Sequence, residues 1–158
     1  MTAAGKERTM RLSKLFILAA LTAAAAYAEG VFTFDSGGGD RPEGYGAWLI
    51  TVNTAGNFAV CHIVRAIKYD CGTFSLDQRE NEKLWKMIDR AGFGTMPSST
   101  RAGEPDEVKY TFTVSDGAAF RKVEIWKSDA LKDKPTAALV DYIGELIAES
   151  TLTPPVLR

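Results

Sequence analysis

The chain is poor in the residues that most small active sites need. It has one histidine and two cysteines in 158 residues. A single imidazole, His62, excludes any site built on two. Two cysteines are too few for a miniprotein stapled by several disulfides. Cys61, Cys71 and His62 give three soft ligands with no second histidine, short of the four that structural zinc takes. Charge of one sign is also lacking: 19 Lys and Arg face 20 Asp and Glu. There is no H-E-x-x-H, no P-loop and no G-x-G-x-x-G opening a helix. The longest apolar run, Leu15 to Ala26, falls short of the roughly 20 residues of a membrane-spanning helix.

What is present begins with that run. Lys6, Arg8, Arg11 and Lys14 precede it, and the small-x-small triplet Ala26-Tyr27-Ala28 follows. This is the layout of a cleavable secretory signal, and residues 1–28 are expected to be one. The expected location is the periplasm or the medium, with no membrane insertion after cleavage. The segment holds four of the 19 basic residues and one of the 20 acidic ones, so 15 bases face 19 acids in the remainder. A mildly acidic body with no evident basic cluster does not attract phosphate backbones, and no nucleic-acid partner is expected. An even cysteine count in an exported chain predicts a Cys61–Cys71 disulfide. The C-x-x-C spacing of a redox pair is absent.

Hydrophobic periodicity sets out one domain over residues 29–150, followed by a tail at 151–158. Val31 to Asp35 alternates as a short strand and runs into the glycine-rich stretch 36–46. Ala47 to Val52 and Phe58 to Val64 read as a hairpin about Asn53-Thr54-Ala55-Gly56-Asn57. Both faces of that hairpin are rather apolar, so it is expected to be central or covered on both sides. Cys71 to Phe74 is a candidate third strand. Ser75 and Gln78 read as a capping box for a helix reaching Ala91, stopped by Gly92. Val108 to Val114 and Phe120 to Trp126 form a second hairpin about Ser115-Asp116-Gly117. A last helix is expected from Asp133, with Leu139, Tyr142, Ile143, Leu146 and Ile147 on one stripe. Ile50-Thr51-Val52 and Phe112-Thr113-Val114 hint at an internal repeat. The predicted class is α+β: an antiparallel sheet of about five strands with two helices on one face, in the order β-ββ(β)-α-ββ-α.

Candidate chemistry is thin. His62 lies within a strand beside a cysteine, a poor place for the base of a Ser-His-Asp triad. Ser36-Gly37-Gly38-Gly39 lacks the Lys-Ser/Thr and helix of a phosphate loop. Asp35 and Asp40 flank that loop without the alternating ligand spacing of a calcium site. Asp106 and Glu107 are adjacent carboxylates, and adjacent strand residues point to opposite faces. No catalytic residue, metal ligand or cofactor is therefore assigned. Arg41, Tyr45 and Trp126 are candidate binding residues, because Arg, Tyr and Trp dominate binding hot spots.

A resemblance adds to this. Leu84 through Ala91-Gly92-Phe93, Met96-Pro97, Pro105-Asp106, Tyr110 to Val114, Asp116-Gly117, Leu139-Val140 and Tyr142-Ile143 resemble small protein inhibitors of the emfourin type. Phe34-Asp35-Ser36-Gly37-Gly38 is similar to the start of those proteins. The resemblance covers about half of the chain beyond the leader, and the same layout occurs in exported bacterial proteins without an assigned role. It implies a partner of the thermolysin-like metalloprotease class, and adds Ser36, Gly37 and Gly38 to the candidate binding residues. The leader, the enlarged first hairpin and the cysteine pair depart from the family pattern. The expectation is an exported, non-catalytic domain that binds a protein, a secreted protease in particular. Its alternatives are a small carboxylate hydrolase of the envelope, using Asp106 and Glu107, and a structural envelope module.

Overall fold

The computed structural model describes residues 30–38, 46–151 and 157. The expected leader, Arg41 and Tyr45 lie outside them. Six strands and three helices follow in order: β1 (Val31–Asp35), β2 (Ala47–Asn53), β3 (Asn57–Val64), β4 (Ile67–Ser75), α1 (Gln78–Ala91), β5 (Lys109–Ser115), β6 (Phe120–Trp126), α2 (Lys127–Ala130) and α3 (Lys134–Ser150). The strands make one antiparallel sheet in the order β4-β3-β2-β1-β5-β6. Among the described residues no helix is long and apolar enough to cross a membrane.

The short first strand sits in the middle of the sheet. Phe32, Thr33 and Phe34 pair with Val52, Thr51 and Ile50 on one side, and with Val114, Thr113 and Phe112 on the other. The two similar tripeptides of the sequence are thus the two flanking partners of one strand, in equivalent register. Alternation sends Phe32, Phe34, Ile50, Val52, Phe58, Val60, Tyr110, Phe112, Val123 and Ile125 to one face, where all are buried. Leu84 and Ile88 of α1 and Leu139, Ile143 and Ile147 of α3 close over that face in a single core. Phe93, next to the α1 stop at Gly92 (φ 69°), stacks on Phe112 at 4.4 Å. Leu157 is buried in the same core, and its carbonyl accepts a hydrogen bond from the Tyr110 hydroxyl.

The expected α+β class is borne out, with six strands in the sheet because the optional third strand of the first group is present. Other expectations need correction. The Cys71–Phe74 segment is part of a nine-residue strand, joined to β3 by the two-residue turn Arg65-Ala66, both with positive φ (51° and 62°). Ser75 does not cap α1, because it is still paired with Asn57 in the sheet. The capping box lies two residues later: Asp77 Oδ1 accepts from the Glu80 amide at 2.8 Å and Glu80 Oε2 from the Asp77 amide at 2.7 Å. The first hairpin is central in the sheet, yet the described residues leave its outer face, with Leu49, Ala59 and Ile63, half exposed. A basic cluster does exist outside the leader. Helical spacing gathers Arg79, Lys83, Lys86 and Arg90 onto one exposed stripe of α1. The expected disulfide is present between Cys61 and Cys71. It joins β3 to β4 at an irregularity where the register shifts between Val60 and His62.

Candidate functional site

One end of the sheet collects most of the structure's polar order. The end of β1, the start of β5 and the end of β6 meet there, under the long loop between α1 and β5. Ser36 continues the β1–β2 ladder past its last pair. Its amide donates to the Trp48 carbonyl at 3.0 Å, and its hydroxyl accepts from the Trp48 amide at 2.8 Å. Gly37 turns the chain away with φ 71°, and its amide donates to Asp35 Oδ1 at 2.8 Å. A Cβ on Gly37 would lie 2.3 Å from the Lys109 carbonyl oxygen, so only glycine fits. Gly38 follows with φ 83°. These residues hold the turn; Ser36 itself is buried.

Lys109 links this turn to Trp126. The two are register partners across β5 and β6, and the Lys109 ammonium sits 4.6 Å from the Trp126 ring centroid. Trp126 is half-buried because the α1–β5 loop lies over it. Its indole N–H donates to the Arg101 carbonyl at 3.1 Å, and its ring lies close against Gly103. The structure therefore brings Ser36, Gly37, Gly38 and Trp126 to one end, as a scaffold under a loop.

The loop is bound along its length. The Ser99 amide donates to the Glu124 carbonyl at 2.8 Å, Ser98 Oγ accepts from the Glu124 amide, and Ser99 Oγ accepts from the Trp126 amide. Arg121 reaches the Met96 carbonyl at 3.0 Å. These contacts cover the free edge of β6. Further on, Arg101 uses all five of its N–H donors. Nη1 and Nη2 grip the two oxygens of Glu107 at 2.9 and 2.8 Å, and Nε reaches Asp129 Oδ2 at 2.7 Å. The remaining two reach Ser128 Oγ and the Ala102 carbonyl. Ser128 Oγ in turn donates to Glu107, and the Glu104 amide donates to Glu107 Oε2 at 2.9 Å. The Arg101 hydrogen bonds, then that of Ser128, hold the Glu107 carboxyl well below the usual carboxylate range. Arg101 likewise lowers Asp129.

The outcome is an exposed loop tip, Ala102 to Asp106, whose two ends are clamped by one guanidinium. Beside it lies an open groove of about 510 Å³ between the loop and the α2–α3 corner, with Pro97, Thr100, Ile125 and Asp133 on its walls. The pairing of Arg101 with Asp129 escaped the sequence reading, because nothing in the sequence pairs positions 28 apart. The bidentate Arg101–Glu107 pair spans only six residues, but lies in a loop without periodicity.

This geometry does not suit acid–base work by Asp106 and Glu107. A general acid needs a raised pKa, and Glu107 is held ionised. Asp106 sits at the exposed tip with φ 63°. His62 stacks on Trp48, with centroids 4.4 Å apart and planes within 10°. Among the described residues no three His, Cys, Asp or Glu side chains are grouped to hold a metal ion. What the arrangement can do is present a fixed protein surface to a partner. No family model matches this chain, and no curated protein is significantly similar to it.

Proposed function

We propose that this chain is an exported, non-catalytic domain that binds another protein through the clamped 101–107 loop, and that its target is a secreted protease of the thermolysin-like class. The observation that carries this reading is the Arg101 clamp: five hydrogen bonds spent on fixing an exposed loop. Ordering a loop before binding removes an entropy cost that would otherwise reduce affinity. In most protease–inhibitor complexes the binding backbone moves little. Trp126, Lys109 and the Gly37 turn support the loop from below, and the adjoining groove offers an apolar wall to a partner side chain. The disulfide fits an oxidising compartment, and with the signal-like leader it supports the periplasm or the medium.

The test is capture from an envelope and secreted fraction, paired with inhibition assays on thermolysin-like enzymes. The wild type is expected to retain a protease and to inhibit it. Arg101→Ala is expected to weaken both by about tenfold or more, through the lost preorganisation. An absence of capture and of inhibition by the wild type would overturn the proposal.

A further inference from the structure

Helix α1 carries four exposed cations in a single row. Arg79, Lys83, Lys86 and Arg90 follow one another at steps of four, three and four residues. Helical geometry puts them within an arc of about 60° and along about 16 Å of the helix. Among the described residues Arg79, Lys86 and Arg90 make no ion pair and no side-chain hydrogen bond. The Lys83 ammonium rests on the Tyr142 ring, 3.6 Å from its centroid. Glu82 stands four residues before Lys86, the favoured order for a helical ion pair, yet its Oε1 accepts from the Gln78 side-chain amide at 2.9 Å instead. A trough of about 450 Å³ follows the row, lined by the four cations with Glu82 and Met87. Beyond the expected leader 15 bases face 19 acids, so this row is a local concentration of positive charge on an acidic body.

The surroundings of the row select its occupant. Glu82 and Asp89 border it on one side of the helix. On the other side stands α3. Tyr142, beneath Lys83, has its hydroxyl pushed up by burial and then by the negative charges of Glu80, Glu145, Glu149 and Asp77. The row is therefore one cation wide between two lines of carboxylates. A bilayer or a nucleic-acid duplex laid across it would meet those carboxylates too, whereas a single thin polyanionic chain would not. Lipid binding also needs apolar side chains that enter the interface. The large exposed hydrophobic residues are Ile67, Tyr69 and Phe120, and none belongs to α1. The same lack leaves no aromatic platform on which the bases of single-stranded nucleic acid could stack.

From this charge complementarity we infer that the α1 row is a docking track for one strand of an acidic polysaccharide, whose carboxylates lie along Arg79, Lys83, Lys86 and Arg90. Such a chain repeats its negative charge along its length and brings neither bases nor apolar surface. Its attraction to the row is electrostatic and exposed, so salt weakens it steeply. The track shares no residue with the clamped 101–107 loop and does not depend on the protease reading.

Labelled polygalacturonate, followed by fluorescence anisotropy, is the probe. The wild type should bind it at low salt. Its affinity should fall about fiftyfold between about 50 and 200 mM salt, the polyelectrolyte slope for four contacts to a single strand. Lys86→Glu with Arg90→Glu should weaken binding by about tenfold or more at fixed salt. Lys68→Glu with Lys122→Glu makes the same change of net charge on the sheet. Because distant exposed charges are screened, that pair should stay within about threefold of the wild type. A wild type that does not bind polygalacturonate overturns the inference. So does an affinity indifferent to salt, or an equal loss in the two charge-reversed pairs. Tighter binding to single-stranded DNA, or to vesicles of equal parts phosphatidylglycerol and phosphatidylcholine, overturns it as well. If the reversed α1 pair fails to fold, Lys86→Gln with Arg90→Gln replaces it, and the salt series on the wild type reads the same contacts without mutation.

Discussion

The two outer strands solve the same problem by different means. β6 is finished by a distant loop: the Ser98 and Ser99 hydroxyls accept from its Glu124 and Trp126 amides and the Ser99 amide donates to its Glu124 carbonyl, while Arg101 ties that loop to Glu107 and Asp129. β4 is held from within by a disulfide to β3, its sole strand partner among the described residues. Non-covalent cover uses up an edge and creates a shaped surface beside it. A covalent staple stabilises the hairpin without consuming the edge. The side of the sheet with the ordered loop is the one proposed to meet a different protein.

The contrast can be broken most strongly at the staple. Replacing Cys61 and Cys71 together by Ser should cost about 2.5–3 kcal/mol, the loop-closure value for a loop of about ten residues. Chemical denaturation should show this as a lower midpoint, with exchange rising first at β3 and β4 amides while the 98–101 loop stays protected. Next in size is Gly37→Ala. It forces a positive-φ residue and a contact with the Lys109 carbonyl, so about 2 kcal/mol of destabilisation is expected. The loss should appear with a shifted Trp126 indole resonance, because Lys109 spans the two sites. Smaller is Ser99→Ala, about 1 kcal/mol for one acceptor, read as faster exchange of the Trp126 amide.

The finest test is pH. Glu107 and Asp129 have carboxyls lowered by Arg101, so the clamp contributes stability above the ordinary carboxylate range and loses it as pH falls through their lowered values. An acid titration followed at the Glu104 amide should show the loop loosening only well below pH 4. In Arg101→Gln the loosening should begin nearer the ordinary carboxylate range, and β4 should respond to neither change.

Much of this architecture is legible in residue patterns. Alternation marks β1, β2, β3, β5 and β6, and the Leu84, Ile88, Ala91 stripe with Gly92 marks α1 and its end. Asp133 caps α3 as its type suggests, accepting from the Thr136 amide at 3.0 Å. The misread cap at Ser75 has a simple cause: two adjacent segments, Ser75-x-x-Gln78 and Asp77-x-x-Glu80, both carry capping-box chemistry, and sheet pairing claims the first. The short α2 has neither a side-chain cap nor enough residues for a period. Arg41 and Tyr45 lie outside the described residues, so the candidate surface rests on Trp126, the Gly37 turn and the clamp.

Composition and periodicity by themselves determined the class of fold, the inward set of side chains and the cysteine bond, because those follow from local spacing and a count of two. Only the tertiary structure decided that the first strand lies in the middle of the sheet, that a serine pair covers the β6 edge, and that Arg101 closes the loop. Each of these joins residues far apart in the chain, and a pairing between distant positions leaves no period along the sequence to read.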